Sequence, residues 1–97
     1  MEIRIQAVNF DAAERLRAHI EKRLSKLEKL CEGAPVADVT LKVVKPETDN
    51  NKDAQIRLKA ACDEFFASKI ANSFEQAIDE CAEAVERQIL KAKDKRR

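Results

Sequence analysis

The chain has 97 residues, with 19 lysines and arginines against 18 aspartates and glutamates, one histidine, three cysteines, one glycine and no tryptophan or tyrosine. This is one domain at most, large enough to bury about two-thirds of its surface without disulfides or metals. One glycine excludes the dinucleotide-binding and phosphate-cradling glycine loops. The lone histidine and the spacing of Cys31, Cys62 and Cys81 carry no zinc or disulfide signature, so the cysteines read as reduced small hydrophobes. No apolar run is long enough to span a membrane, and the first ten residues do not resemble a signal peptide, which points to a cytoplasmic protein. Ser25, Ser68 and Ser73 have no base beside them, so nothing marks the chain as an enzyme or as a user of a cofactor or small-molecule substrate.

In chain order, Ile3, Ile5 and Ala7 alternate with Glu2, Arg4 and Gln6, the pattern of a strand with one wet face. Asp11 with Glu14 has capping-box spacing, and Gly33 followed by Pro35 is a stop, which predicts a helix over about 12–31. Its predicted core stripe is Ala13, Leu16, Ile20, Leu24, Leu27 and Cys31. Val39, Leu41 and Val43 predict a second strand ending in the polar segment 46–53. Ala54, Ile56, Leu58 and Ala60 predict a third, and residues 65–70 its hairpin partner, with Phe65 and Phe66 necessarily on opposite faces. Asn72 with Glu75, or Ser73 with Gln76, caps a last helix with Phe74, Ile78, Cys81, Val85 and Ile89 on its apolar side.

The order βαβββα with two amphipathic helices implies an α+β two-layer sandwich, a four-stranded sheet with both helices on one face. A right-handed crossover through helix one makes strands one and two parallel and leaves hairpins elsewhere. The outer face then carries Arg4, Gln6, Lys42, Gln55, Arg57 and Lys59.

The charges are sorted. Turned at about 100° per residue, Arg15, Lys22, Lys26 and Lys29 form one stripe on helix one, with Arg23 and His19 between it and the core and Glu14, Glu21, Glu28 and Glu32 on the other flank. The last helix is acidic first (Glu75, Asp79, Glu80, Glu83, Glu86) and basic last, with Arg87, Lys91 and Lys95 every four residues. Acid-first, base-last suits the helix dipole, and charged faces are often only solvated. The local pairing argues for more. Glu83 with Arg87 is the single pair in which a glutamate precedes a lysine or arginine at four-residue spacing on the helices, whereas Lys22/Lys26, Arg87/Lys91 and Lys91/Lys95 are like-charge pairs. Such ladders suit an external polyanion. The competing reading is a protein-interaction module or transcription-related regulator that uses the acidic stripe and the outer sheet face. A free double-stranded-RNA binder fits less well, since Glu75 and Gln76 stand where that domain's lysines begin its last helix. His19 reads as a flank residue rather than a ligand, and Leu90 as an exposed leucine opposite the core.

Against this frame the last helix, with Ala77-Ile78-Asp79, then Arg87-Gln88-Ile89 and the run KAKDK at 91–95, resembles the ribosome hibernation-promoting factor and ribosome-associated inhibitor family. Leu16-Arg17, Lys26-Leu27-Glu28 and the strand Val39–Val43 add to the resemblance, which spans essentially the whole chain. It implies a fold similar to double-stranded-RNA-binding domains, with residues 1–97 as a single ribosome-binding domain whose basic end, about 91–97, frays. It also implies binding to the small ribosomal subunit near the decoding site, with helix cations on rRNA, so that mRNA and tRNA are blocked and idle ribosomes silenced under stress or in stationary phase. Carried over, Arg17, Lys26, Arg87, Lys91, Lys93 and Lys95 match the family motif and Arg23 a basic family position; Arg15, Lys22 and Lys29 come from the stripe. Ala84 stands where the family often has lysine, and Leu30 where an aromatic is frequent. By the same resemblance the chain is a short form, needing a second factor or ribosome contacts to pair ribosomes.

Overall fold

A computed structural model describes residues 1–8, 13–31, 33–44, 51–60 and 63–95, with the backbone alone for Lys95. Six elements follow in the order β1 (Glu2–Val8), α1 (Glu14–Glu28), β2 (Val36–Val43), β3 (Lys52–Lys59), β4 (Glu64–Ala71) and α2 (Phe74–Lys95). They make the α+β sandwich that the alternation implies.

The sheet order is β1-β2-β3-β4. β1 and β2 are parallel, as a crossover through α1 requires, and the other two pairs are antiparallel. Register lines up Ile5, Val39, Ile56 and Ala67 across one face, with Ile3, Ala37, Leu58 and Phe65 beside them. A strand alternates its side chains, so this parity decides which face is dry. Leu16, Ile20, Leu24 and Leu27 of α1 and Ala77, Ile78, Cys81, Ala82, Val85 and Ile89 of α2 close over it. Each fully buried leucine or isoleucine contributes about 1.5–3 kcal/mol.

Ala54 and Ala67 leave room for α2 to approach the sheet closely. The Cys81 thiol, buried between the layers, lies 3.0 Å from the main-chain oxygen of Ala54 and 3.6 Å from that of Ala67. That burial pushes its pKa up to about 11, which keeps the thiol protonated and inert. Cys31 is also free, and part-buried; Cys62 lies outside the described residues.

Both ends of α1 differ from expectation. α1 is shorter than 12–31, because Ala13, exposed and not part of the core, is the N-cap with no side-chain bond. At the other end Leu30 and Cys31 turn back to the carbonyls of Leu27 (3.0 Å) and Glu28 (3.1 Å), three-residue bonds that tighten and end the helix. Gly33 then takes φ 81°, the left-handed conformation for which glycine is suited. Asp11, the expected cap, lies outside the described residues, as do Glu32, most of the polar 46–53 segment, Arg96 and Arg97. The two ambiguities are also decided. Phe65 points inward and Phe66 outward, and Ser73 caps α2, its hydroxyl oxygen accepting from the Gln76 N–H at 3.2 Å.

Candidate nucleic-acid interface

α1 and α2 run in the same direction across the sheet. His19 and Arg23 meet Asp79 near the start of α2, while Cys31, just past α1, feels the charge of Lys93 near the end of α2. Burial raises the Cys31 pKa, and Lys93 partly opposes that shift.

The Asp79 contacts form a clasp. His19 Nε2 donates to Asp79 Oδ1 at 2.8 Å, since a carboxylate can only accept. Arg23 Nε lies 3.2 Å from the same oxygen, an ion pair without hydrogen-bond alignment, and Arg23 Nη2 donates to the main-chain oxygen of Asp79 at 3.3 Å. Arg23 is only 28% exposed. Of the cations expected to face rRNA, it alone among the described side chains is drawn into the seam between the helices.

The others stay outside. Arg15, Arg17, Lys22 and Lys26 on α1, Lys29 in the turn after it, and Arg87, Lys91 and Lys93 on α2 are all exposed. Among the described residues none of them enters a salt bridge. The expected Glu83–Arg87 pair does not form either, because Arg87 Nε reaches the main-chain oxygen of Glu83, at 3.5 Å. Lys95 ends α2, and its side chain is outside the description.

Two contacts fix the rotation of α2. Asp79 faces α1 and Gln88 faces β4, and nine residues at 100° place them about 180° apart, on opposite flanks. Arg87 and Lys91 therefore ride the crown of α2, with Lys91 leaning toward β4, and Leu90, 46% exposed, falls in line with Asp79 on the α1 side. The cations thus form two rows flanking an inter-helix furrow rather than one band. At the head of the furrow Arg15, Ala18, His19, Lys22 and Glu75 line a cleft of about 470 Å³.

The opposite face handles charge differently. Arg4 lies between Glu2 (2.6 Å) and Asp38 (3.8 Å), and Arg57 pairs with Glu64 (2.9 Å) while its guanidinium sits 5.2 Å from the centre of the Phe66 ring. The Asp53 oxygens receive Ser68 Oγ at 3.3 Å and Gln55 Nε2 at 3.4 Å. Among the described residues no group of three histidine, cysteine, aspartate or glutamate side chains converges as metal ligands do. No described helix is long and apolar enough to cross a membrane.

Periodicity found the two rows but missed the clasp. Asp79 looked like one more acid of the α2 start, and its helix position alone does not reveal that α1 passes beside it. A signal was present in His19 and Arg23, which flank the α1 core stripe on one side.

A model of the family described as "Sigma 54 modulation protein / S30EA ribosomal protein" matches residues 3–97. The fold is similar to the N-terminal domain of Protein Y from Thermus thermophilus, 21% identical with a TM-score of 0.80, over 92% of this chain and 96% of that one. It is equally similar (TM-score 0.80) to a ribosomal subunit interface protein from Coxiella burnetii, 17% identical, over 97% of this chain and 99% of the other. No curated protein matches the sequence.

Proposed function

Because the chain belongs to the sigma 54 modulation / S30EA ribosomal protein family, we propose that it is a ribosome hibernation factor that binds the small subunit near the decoding site and silences translation by occupancy. The observation that carries this reading is the contrast in ion pairing. The exposed helix-side cations Arg15, Arg17, Lys22, Lys26, Lys29, Arg87, Lys91 and Lys93 have no carboxylate partner among the described residues, while the sheet-side arginines Arg4 and Arg57 do. Unpaired cations in rows are repaid by phosphates, through direct contacts and counterion release. Two rows with a furrow between them suit a folded RNA surface, where recognition is by shape and backbone.

In this role the protein is a cytoplasmic binding module, residues 1–97 forming one ribosome-binding domain, and it works without catalysis or cofactor. It blocks mRNA and tRNA by filling their site during stress or stationary phase. Arg23 contributes by holding α1 against α2 rather than by reaching far into solvent.

Binding to purified small subunits across a salt series tests the reading. If roughly six cations meet phosphates, log K falls by about 4 to 5 per tenfold rise in salt. A flat response would sink it. Glu14→Lys with Glu21→Lys, on the acidic flank of α1, is expected to leave association intact; loss there, with the basic rows untouched, would favour a protein partner.

A further inference from the structure

β4 is an edge strand, and one side chain holds part of that edge. Gln88 Nε2 donates to the main-chain oxygen of Phe66 at 2.7 Å, and Gln88 Oε1 accepts from the Phe66 N–H at 3.2 Å. The carboxamide thus binds Phe66 as the main chain of a neighbouring strand would. These bonds also show which main-chain groups point outward. In an antiparallel pair alternate residues turn away from the partner strand, so Ser68 and Ile70 turn theirs the same way as Phe66. Among the described residues nothing meets the outward groups of Ser68 or Ile70.

Natural edges are commonly blunted by charge or proline, and here Glu64 and Lys69 are exposed. Beside them Phe66 and Ile70 are 44% and 53% exposed, two of the three large hydrophobic residues left open among the described residues. Both lie on the outer face, four residues apart about Ser68. That arrangement is self-complementary. Two copies of β4 paired antiparallel about a two-fold axis at Ser68 set Phe66 opposite Ile70 of the second copy, and Ile70 opposite its Phe66. These are pairs whose outward main-chain groups bond directly. Such pairing needs the two groups of Phe66 that Gln88 occupies.

We propose that Gln88 is an edge guard: by holding the outward main-chain groups of Phe66 it keeps β4 from adding to β4 of a second copy of this chain. Arg57 supports the guard by covering the Phe66 ring from the neighbouring strand. The proposal is independent of the ribosomal reading, since it concerns the free protein and the opposite flank of α2 from the Asp79 clasp.

Sedimentation velocity over a concentration series tests it. Gln88→Ala is expected to dimerise at roughly a hundredfold lower concentration than the wild type, the scale of the four hydrogen bonds, two per copy, that a wild-type pair has to give up. In that background Ser68→Pro removes an outward N–H without touching the β3 ladder, and Ile70→Lys puts a charge on the edge; each is expected to restore the wild-type association. Hydrogen exchange gives a second readout, with the Phe66 amide protected in the wild type and protected in Gln88→Ala only at concentrations where it is dimeric. A Gln88→Ala variant that stays folded and sediments like the wild type overturns the proposal. So does a dimer that persists with Ser68→Pro and Ile70→Lys.

Discussion

On the outer face of the sheet Arg4 stands opposite Asp38 in register and Arg57 bonds to Glu64, whereas on the helix side Arg15, Lys22, Lys26 and Lys91 meet no carboxylate among the described residues. The geometry of each element makes the difference legible. Cross-strand and diagonal neighbours stand within side-chain reach, and the two sheet arginines use it: Arg4 reaches Asp38, its register partner, and Arg57 reaches Glu64 on the diagonal. On a helix the neighbours lie three and four residues along, and in the rows Lys22 with Lys26, Lys26 with Lys29, and Arg87 with Lys91 repeat the same sign there. The sheet arginines are paired within the molecule, and the helix rows are left for a partner. A net charge of +1 hides that division, because the compensating acids sit mainly on other flanks.

The largest expected effect would break the contrast. Arg87→Glu with Lys91→Glu, on the crown of α2, is expected to cost about 2–5 kcal/mol of small-subunit affinity. Arg4→Gln with Lys42→Gln, on the sheet, is expected to leave it nearly unchanged. Both pairs are exposed, so their unfolding midpoints act as controls. Equal losses from both faces would erase the distinction.

The seam between the helices comes next. Asp79→Ala leaves Arg23 half-buried without its carboxylate and His19 without an acceptor, with an expected loss of about 1–3 kcal/mol in urea unfolding. Since Asp79 is itself half-exposed, the lower end of that range is expected. Ribosome binding should weaken as well, because the clasp sets how the two cationic rows lie relative to each other.

A pH measurement addresses the layer contact. The folded Cys81 thiol titrates at about 11, above the usual value of about 8.5. As pH rises between these values the unfolded chain gives up this proton while the folded chain keeps it, so stability falls with rising pH in that window. The fall should be steeper in the wild type than in Cys81→Ala. Smallest is the sheet surface itself. Arg57→Ala removes an exposed ion pair and the contact with the Phe66 ring, at an expected cost of no more than about 1 kcal/mol by thermal unfolding.

Much of the molecule was legible in the linear sequence. The alternation of Val39, Leu41, Ile56 and Leu58 gave the strands and their dry face, and the spacing of Leu16, Ile20, Leu24 and Leu27 gave the buried side of α1. Element ends were harder to read. Helical periodicity carries through Ala13 and Cys31, but the caps that end a helix are single hydrogen bonds, and here no side chain makes the first. Phe65 and Phe66 were readable only as a pair on opposite faces; which one went inside awaited the register with Leu58 and Arg57.

By itself, then, the sequence determined the element order, the sheet and helix faces, and the sorting of charge into rows, since all three follow from periodicities of two and about 3.6 residues. Tertiary structure alone decided that Asp79 binds His19 and Arg23, sixty and fifty-six residues away, and that Gln88 turns back onto Phe66, twenty-two residues away. Those contacts depend on how far α2 is rotated and which strand lies at the edge. Such quantities are fixed by packing α2 over Ala54 and Ala67, and no local repeat records them.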